Sequence, residues 1–179
     1  VVAASRGWSR SELLIRLDLP AEAGAHIVVE HAAQQLADGY PAEYLTGHVA
    51  FCDIVVRVRE GVLVPRPETE HLVQMAGDFI IEEDCPRAIV LDLCSGSGAI
   101  ALALAARLPQ VTVVGLELDR TSVSCSRESA LDAGLSERVR FVQGNVLAAW
   151  GLALADSRSR TDVIVSNPPY VCEQRLFAA

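Results

Sequence analysis

The chain has 179 residues, 51% of them apolar and 21% charged, with 12 Gly and 8 Pro. The apolar share rules out a disordered chain, and the Gly and Pro counts rule out collagen-like and low-complexity classes. The net charge is −8, and all 15 basic residues are Arg, which weakens the case for a nucleic-acid partner because phosphates favour a basic face.

Residues 1–40 read as helical, with Leu13, Leu14, Leu17 and then Ile27, Val28, His31 and Leu36 at helical spacing. Pro20 breaks the run, and Asp38-Gly39-Tyr40-Pro41 ends it. Residues 44–64 switch to short β-type runs: Val49 and Phe51, then Ile54, Val55, Val56 and Val58, then Val62, Leu63 and Val64. Pro67 and Glu68 suit the first turn of the next helix, which carries Leu72, Val73, Met75, Ala76, Phe79 and Ile80. From Ala88 onward the chain alternates. Strands are expected at 88–93, 111–116, 139–142 and 162–165. Helices are expected at 99–108, 119–133 and, in large part, 145–155. Strands joined by helices of this length call for right-handed crossovers and a parallel sheet, hence an α/β fold.

No stretch approaches the ~18–20 apolar residues of a membrane span. Residues 1–11 hold no apolar core of signal-peptide length, so a cytoplasmic location is expected, and the missing initiator Met suggests a trimmed or partial chain. Cys52, Cys85, Cys94, Cys125 and Cys172 are odd in number and form no CxxC pair. They are expected to be reduced and mostly buried rather than a disulfide framework or a zinc site. The four His share no ligand spacing and no metal is expected; Trp8 and Trp150 read as packing residues.

Two motifs carry chemistry. The first is the turn Asp92-Leu93-Cys94-Ser95-Gly96-Ser97-Gly98-Ala99, between a strand and its helix. Gly96 and Gly98 let the backbone turn sharply and approach a ligand. Glu117 ends the next strand, where a carboxylate can accept both hydroxyls of a ribose. Three readings compete: an S-adenosylmethionine (AdoMet) turn, a dinucleotide fingerprint and a tight structural turn. Asp92 favours the first, since its charge suits a cationic amino group and repels a pyrophosphate. The second motif, Ser166-Asn167-Pro168-Pro169-Tyr170, follows the last expected strand. Two prolines make a stiff corner that presents a carboxamide, a free carbonyl and an aromatic ring. The Asn167 oxygen and the Pro168 carbonyl can both accept from one planar NH₂ group, which orients a weak nitrogen nucleophile and favours its developing positive charge.

Together the two motifs resemble the amino-group N-methyltransferases that act on glutamine amides, adenine or cytosine. Pro41-Ala42-Glu43-Tyr44-Leu45-Thr46-Gly47 and Val64-Pro65-Arg66-Pro67-Glu68-Thr69-Glu70 narrow the resemblance to the peptide chain release factor glutamine N5-methyltransferases, the HemK/PrmC family. It implies a Rossmann-like AdoMet-dependent methyltransferase sheet with a small N-terminal helical domain (1–40), a β-hairpin linker (41–66) and a methyltransferase domain (67–179). It further implies methylation of the glutamine in the Gly-Gly-Gln loop of class I release factors, with no direct nucleic-acid or membrane partner. Carried over by position, Asp92, Cys94, Ser95, Gly96, Ser97 and Gly98 would line the methionine part of AdoMet and Glu117 would bind the ribose. Asn145 and Val146 would flank the adenine. Asn167, Pro168, Pro169 and Tyr170 would hold the glutamine amide, with Asn167 also near the methyl donor. Cys94 stands where the family has Gly, and Asn145 where Asp is usual. The chain stops nine residues after Tyr170. Four strands fall short of the fold's complete sheet, so a truncated sheet with an open edge after the fourth strand is expected. A nucleic-acid adenine N6-methyltransferase and an inactive AdoMet-binding fragment are the competing readings.

Overall fold

The computed structural model describes residues 10–16, 24–148 and 161–170. Helices α1 (Arg10–Ile15) and α2 (Ala25–Ala37) come first, α2 closing at Asp38. A short helix α3 (Ala42–Thr46) leads into an antiparallel hairpin of β1 (His48–Phe51) and β2 (Ile54–Arg57). The expected strand at 62–64 does not form: Val62 is buried, but its N–H bonds to Arg59 in a turn. Pro65, with no N–H to give a ladder, follows at once.

A single turn of 3₁₀-helix, Pro67–Thr69, opens α4 (Glu70–Glu82). The α/β part then runs β3 (Ile89–Leu93), α5 (Ala99–Arg107), β4 (Thr112–Glu117), α6 (Arg120–Asp132), β5 (Val139–Gln143) and β6 (Val163–Ser166). These four strands form one sheet in the order β5-β4-β3-β6, and every pair is parallel. One face packs Val90, Val113, Val139, Phe141 and Val165 against α4, α5 and α6. On the other, Leu91, Val114 and Leu116 form a second cluster with Leu93, Val142 and Val146 beside it. Residues 99–105 of α5 are all buried, four of them Ala, which lets the helix lie close on the strands. Each fully buried Leu of that helix contributes about 1.5–3 kcal/mol.

The α6 sequence looks too polar for a core helix, yet Ser122, Ser126 and Ser129 are buried. Ser126 and Ser129 donate back to the carbonyls of Val123 and Cys125, so neither of these two hydroxyls is left unpaired. This face fastens the hairpin. The Arg57 N–H donates to Ser129 Oγ at 2.9 Å, the Cys125 thiol donates to the Arg57 carbonyl, and the pairs Arg57–Asp132 and Arg59–Glu128 flank them.

Other expectations meet mixed outcomes. Of 145–155, the part described (145–148) is a turn rather than a helix, closed by the Leu147 N–H on Asn145 Oδ1. An Asx turn competes with helix at such a residue. The rest of that stretch, and Trp8, Leu17, Pro20, Trp150 and Cys172, lie outside the described residues. The four described cysteines are free thiols, but only Cys125 is buried; Cys85 and Cys94 are half-buried and Cys52 is exposed. All four His are exposed. Among the described residues no helix is long and apolar enough to cross a membrane.

Candidate functional site

The sheet brings the two motifs together. Strands β4 and β6 flank β3 on opposite sides, so the chain order reverses at β3, and ligands of open α/β sheets bind at the carboxyl ends beside such a switch. Leu93 of β3 pairs with Ser166 of β6 and with Leu116 of β4. Cys94, Asn167 and Glu117 are therefore the next residues on three adjacent strands, spaced roughly 5 Å apart. Ser166 Oγ donates to the Leu93 carbonyl at 2.9 Å and ties the two motifs at their roots.

Within the glycine turn, Ser95 N–H donates to the Leu116 carbonyl and Gly98 N–H to the Ser95 carbonyl. Glu117 spans the crevice: Oε2 accepts from Gly96 N–H at 2.8 Å and Oε1 from Asp119 N–H at 2.9 Å. Its carboxylate is held in place by backbone donors and keeps further lone pairs for a ligand. Asp119 caps α6, accepting from Ser122 N–H. Cys94 sits at φ +58°, the left-handed region, so the position keeps a glycine-like backbone although a side chain occupies it.

Gly98 is required twice over. Its φ is +80°, and a Cβ there would lie 2.5 Å from the Phe141 ring. A Cβ on Gly115 would also strike that ring. Phe141, itself buried, thus forms the floor beneath the turn. Sequence reasoning took it for an ordinary strand residue; two glycines across from one aromatic were the available signal.

Asp92 is fully buried, and neither carboxylate oxygen makes a well-formed hydrogen bond. Burial pushes its carboxyl up to about 8, the Ala101 backbone N–H partly opposes this, and the charge on Glu117 adds to the rise. Buried Ser95 Oγ also lacks a partner. Asp92 is opposite Gly115 in the register, and Ser95 Oγ lies 2.9 Å from where a Gly115 Cβ would be. Unpaired buried polar atoms are costly. A ligand carrying an ammonium group would satisfy this acidic cluster. Ser97 is buried within the turn.

The Gly144 N–H donates to the Glu117 carbonyl, which draws the loop carrying Asn145 and Val146 to the same edge. Val146 packs on the second apolar cluster, whereas Asn145 Oδ1 is engaged in its own turn.

At the corner, Asn167 Nδ2 donates to Thr69 Oγ1 at 3.1 Å, which leaves Oδ1 as the end of the carboxamide able to face a substrate. Pro168 is half-exposed, Pro169 exposed, and Tyr170 82% exposed, so the Tyr170 ring is open to stacking. Thr69 belongs to the 3₁₀ turn, 98 residues away in sequence, and went unremarked as a partner of the corner because nothing local announces it.

Comparison with known proteins gives a consistent result. Residues 78–178 match the methyltransferase small domain family. The release factor glutamine methyltransferase of Rhodopirellula baltica is 37% identical over 175 residues, covering 97% of this chain and 57% of the relative. The one from Burkholderia pseudomallei is 38% identical over 177 residues, covering 96% and 59%. The chain thus spans a little under three fifths of the length of these curated relatives. Among solved structures, a SAM-dependent methyltransferase from Agrobacterium tumefaciens superposes with a TM-score of 0.53 at 19% identity, covering 68% of this chain and 39% of that one, a likeness of fold.

Proposed function

The chain belongs to the methyltransferase small domain family, and on that premise we propose that it methylates the side-chain amide nitrogen of the glutamine in the Gly-Gly-Gln loop of class I release factors, with AdoMet as donor. Relatives at 37–38% identity are named release factor glutamine methyltransferases, which supports this reading. The observation that carries the reading is the register Leu93–Ser166, from which the glycine turn and the proline corner emerge side by side.

The residues fit AdoMet chemically. The ammonium group would be held by Asp92 and the Ser95 hydroxyl, whose buried oxygens lack a well-formed bond. Cys94, Gly96, Ser97 and Gly98 would line the methionine portion, Glu117 would accept from the ribose hydroxyls, and Asn145 and Val146 would flank the adenine. When bound, AdoMet supplies an electrophilic methyl on a sulfonium. The protein's part is orientation. Asn167 Oδ1 and the Pro168 carbonyl accept the two hydrogens of the glutamine NH₂, and Tyr170 stacks on the amide plane. Both acceptors strengthen as positive charge develops on nitrogen. No side-chain base is needed: once the nitrogen lone pair has taken the methyl, the positively charged N-protonated amide is strongly acidic and its extra proton passes to solvent. In this reading residues 1–40 hold the protein substrate, 41–66 link, and 67–179 carry the transfer. A cytoplasmic location follows from the substrate.

Incubation with methyl-labelled AdoMet and either a class I release factor or double-stranded DNA tests the proposal. Label on the release factor alone is expected. Label on DNA would favour an adenine N6-methyltransferase, and label on neither would leave an AdoMet-binding protein without transfer.

A further inference from the structure

Thr69 is the N-cap residue of α4, a position where Thr ordinarily turns its hydroxyl onto the backbone N–H groups of the first helical turn. Here it makes no such bond. The preceding 3₁₀ turn sets its backbone at φ −70° and ψ −19°, already helical, while a cap bond requires an extended N-cap. The hydroxyl instead accepts from Asn167 Nδ2. A helix start has thus given up its capping side chain to the proline corner.

The chemistry of the corner gives that contact a purpose. A carboxamide can rotate half a turn and exchange its oxygen for its NH₂ at little steric cost. Only one of the two states serves. With Oδ1 outward, Asn167 and the Pro168 carbonyl present two acceptors to a substrate NH₂. With Nδ2 outward, a donor meets a donor and the substrate nitrogen is turned away. The prolines fix the backbone of the corner but leave the Asn167 side-chain torsions free. Thr69 Oγ1 engages Nδ2 from the other side; a hydroxyl bonds either end of an amide, so the contact fixes the side-chain torsions, and the substrate NH₂ itself selects the oxygen-outward state.

We infer that Thr69 is a positioning residue for methyl transfer: its hydroxyl anchors the Asn167 carboxamide at the corner and fixes its side-chain torsions. The inference rests on the reading of the site as an amide methyltransferase. It also gives a role to the contact between the 3₁₀ turn that opens α4, an element outside the sheet, and the corner.

The test compares Thr69→Val, of nearly equal shape, with Thr69→Ser, which keeps the hydroxyl, in the whole protein. Methyl transfer to a release factor is followed at saturating substrates, and AdoMet affinity is measured by calorimetry. Thr69→Val should lower kcat about 10- to 100-fold, the scale of a misoriented reacting group, and leave AdoMet affinity within about twofold. Thr69→Ser should recover kcat to within about threefold of the parent. The double variant Thr69→Val/Asn167→Ala should be no slower than Asn167→Ala alone, since the hydroxyl acts only through that carboxamide. An additive double variant, no rescue by Ser, or parallel loss of AdoMet affinity and kcat would assign Thr69 to the fold instead. If the parent transfers methyl and Thr69→Val matches it, the inference fails while the functional reading stands. If the parent transfers none, both fall. Should Thr69→Val not fold, Thr69→Ala takes its place with the same expected outcomes.

Discussion

On the proposed function, replacing Asn167 by Ala removes one of two acceptors for the substrate NH₂ without touching the glycine turn. We expect kcat to fall about 100- to 1,000-fold, the range for deleting one preorganised hydrogen-bonding group, with AdoMet affinity nearly intact; equal loss of both would contradict the assigned role. Glu117 behaves differently because it has two duties. Its carboxylate already accepts from Gly96 and Asp119, so Glu117→Ala should weaken AdoMet by ~1–3 kcal/mol and also lower the thermal midpoint. Unchanged affinity by calorimetry would remove the ribose assignment. Cys94 adopts a backbone state that costs an L-residue about 1–2 kcal/mol, and its φ is +58°. Cys94→Gly should relieve part of that cost and stabilise the fold by about 1 kcal/mol in urea titration, and a loss of stability would show that the thiol packs favourably enough to offset the strain.

Among the elements, the turn between β3 and α5 depends on the Phe141 floor. Gly98→Ala adds both a left-handed backbone penalty and a collision with that ring, and should destabilise by about 3 kcal/mol or more. Trimming the floor with Phe141→Leu in the same chain should recover part of the loss, the steric part, and no recovery would mean that the backbone term dominates. The alternating core from residue 88 to 143 was legible because short β-branched runs alternate with the Ala/Leu-rich α5 and with α6, bracketed by Asp119 and Gly134. The stretch 62–64 misled because a Val-rich run resembles a strand, whereas the hairpin partner was already taken by β1. The docking of the hairpin was illegible for a different reason. It rests on Arg57–Ser129 and Arg59–Glu128 contacts some seventy residues apart in sequence, and buried serines read as a wet helix face. The same distance hid Thr69 from Asn167. What could be read in advance was the placement of Asp92, Glu117 and Asn167 at strand ends, since each follows from its own strand; which backbone and side-chain groups hold them required the fold.

For the molecule as a whole, the buried Asp92 shapes the response to pH. Its folded-state value of about 8 lies above the ordinary 3.8, so the folded state keeps a proton that the unfolded chain releases. Stability from this group is complete below about pH 4, declines as pH rises toward 8 and is flat beyond. Thermal midpoints should fall across that window, and Asp92→Asn should flatten the decline. Asp132, held below its usual range by the Arg57 hydrogen bond, acts in the opposite sense only in acid. A ligand ammonium stabilises ionised Asp92, so the thermal shift produced by S-adenosylhomocysteine should grow from pH 6 to pH 8. The most direct measurement concerns the atom that receives the methyl. A class I release factor is reacted with trideuteromethyl AdoMet, digested, and its peptides sequenced by tandem mass spectrometry. We predict the label on the side-chain amide of the Gly-Gly-Gln glutamine, reduced about 100-fold or more at matched times when the Asn167→Ala variant is used. A label on any other residue, or one undiminished without Asn167, would contradict the proposed role of the proline corner.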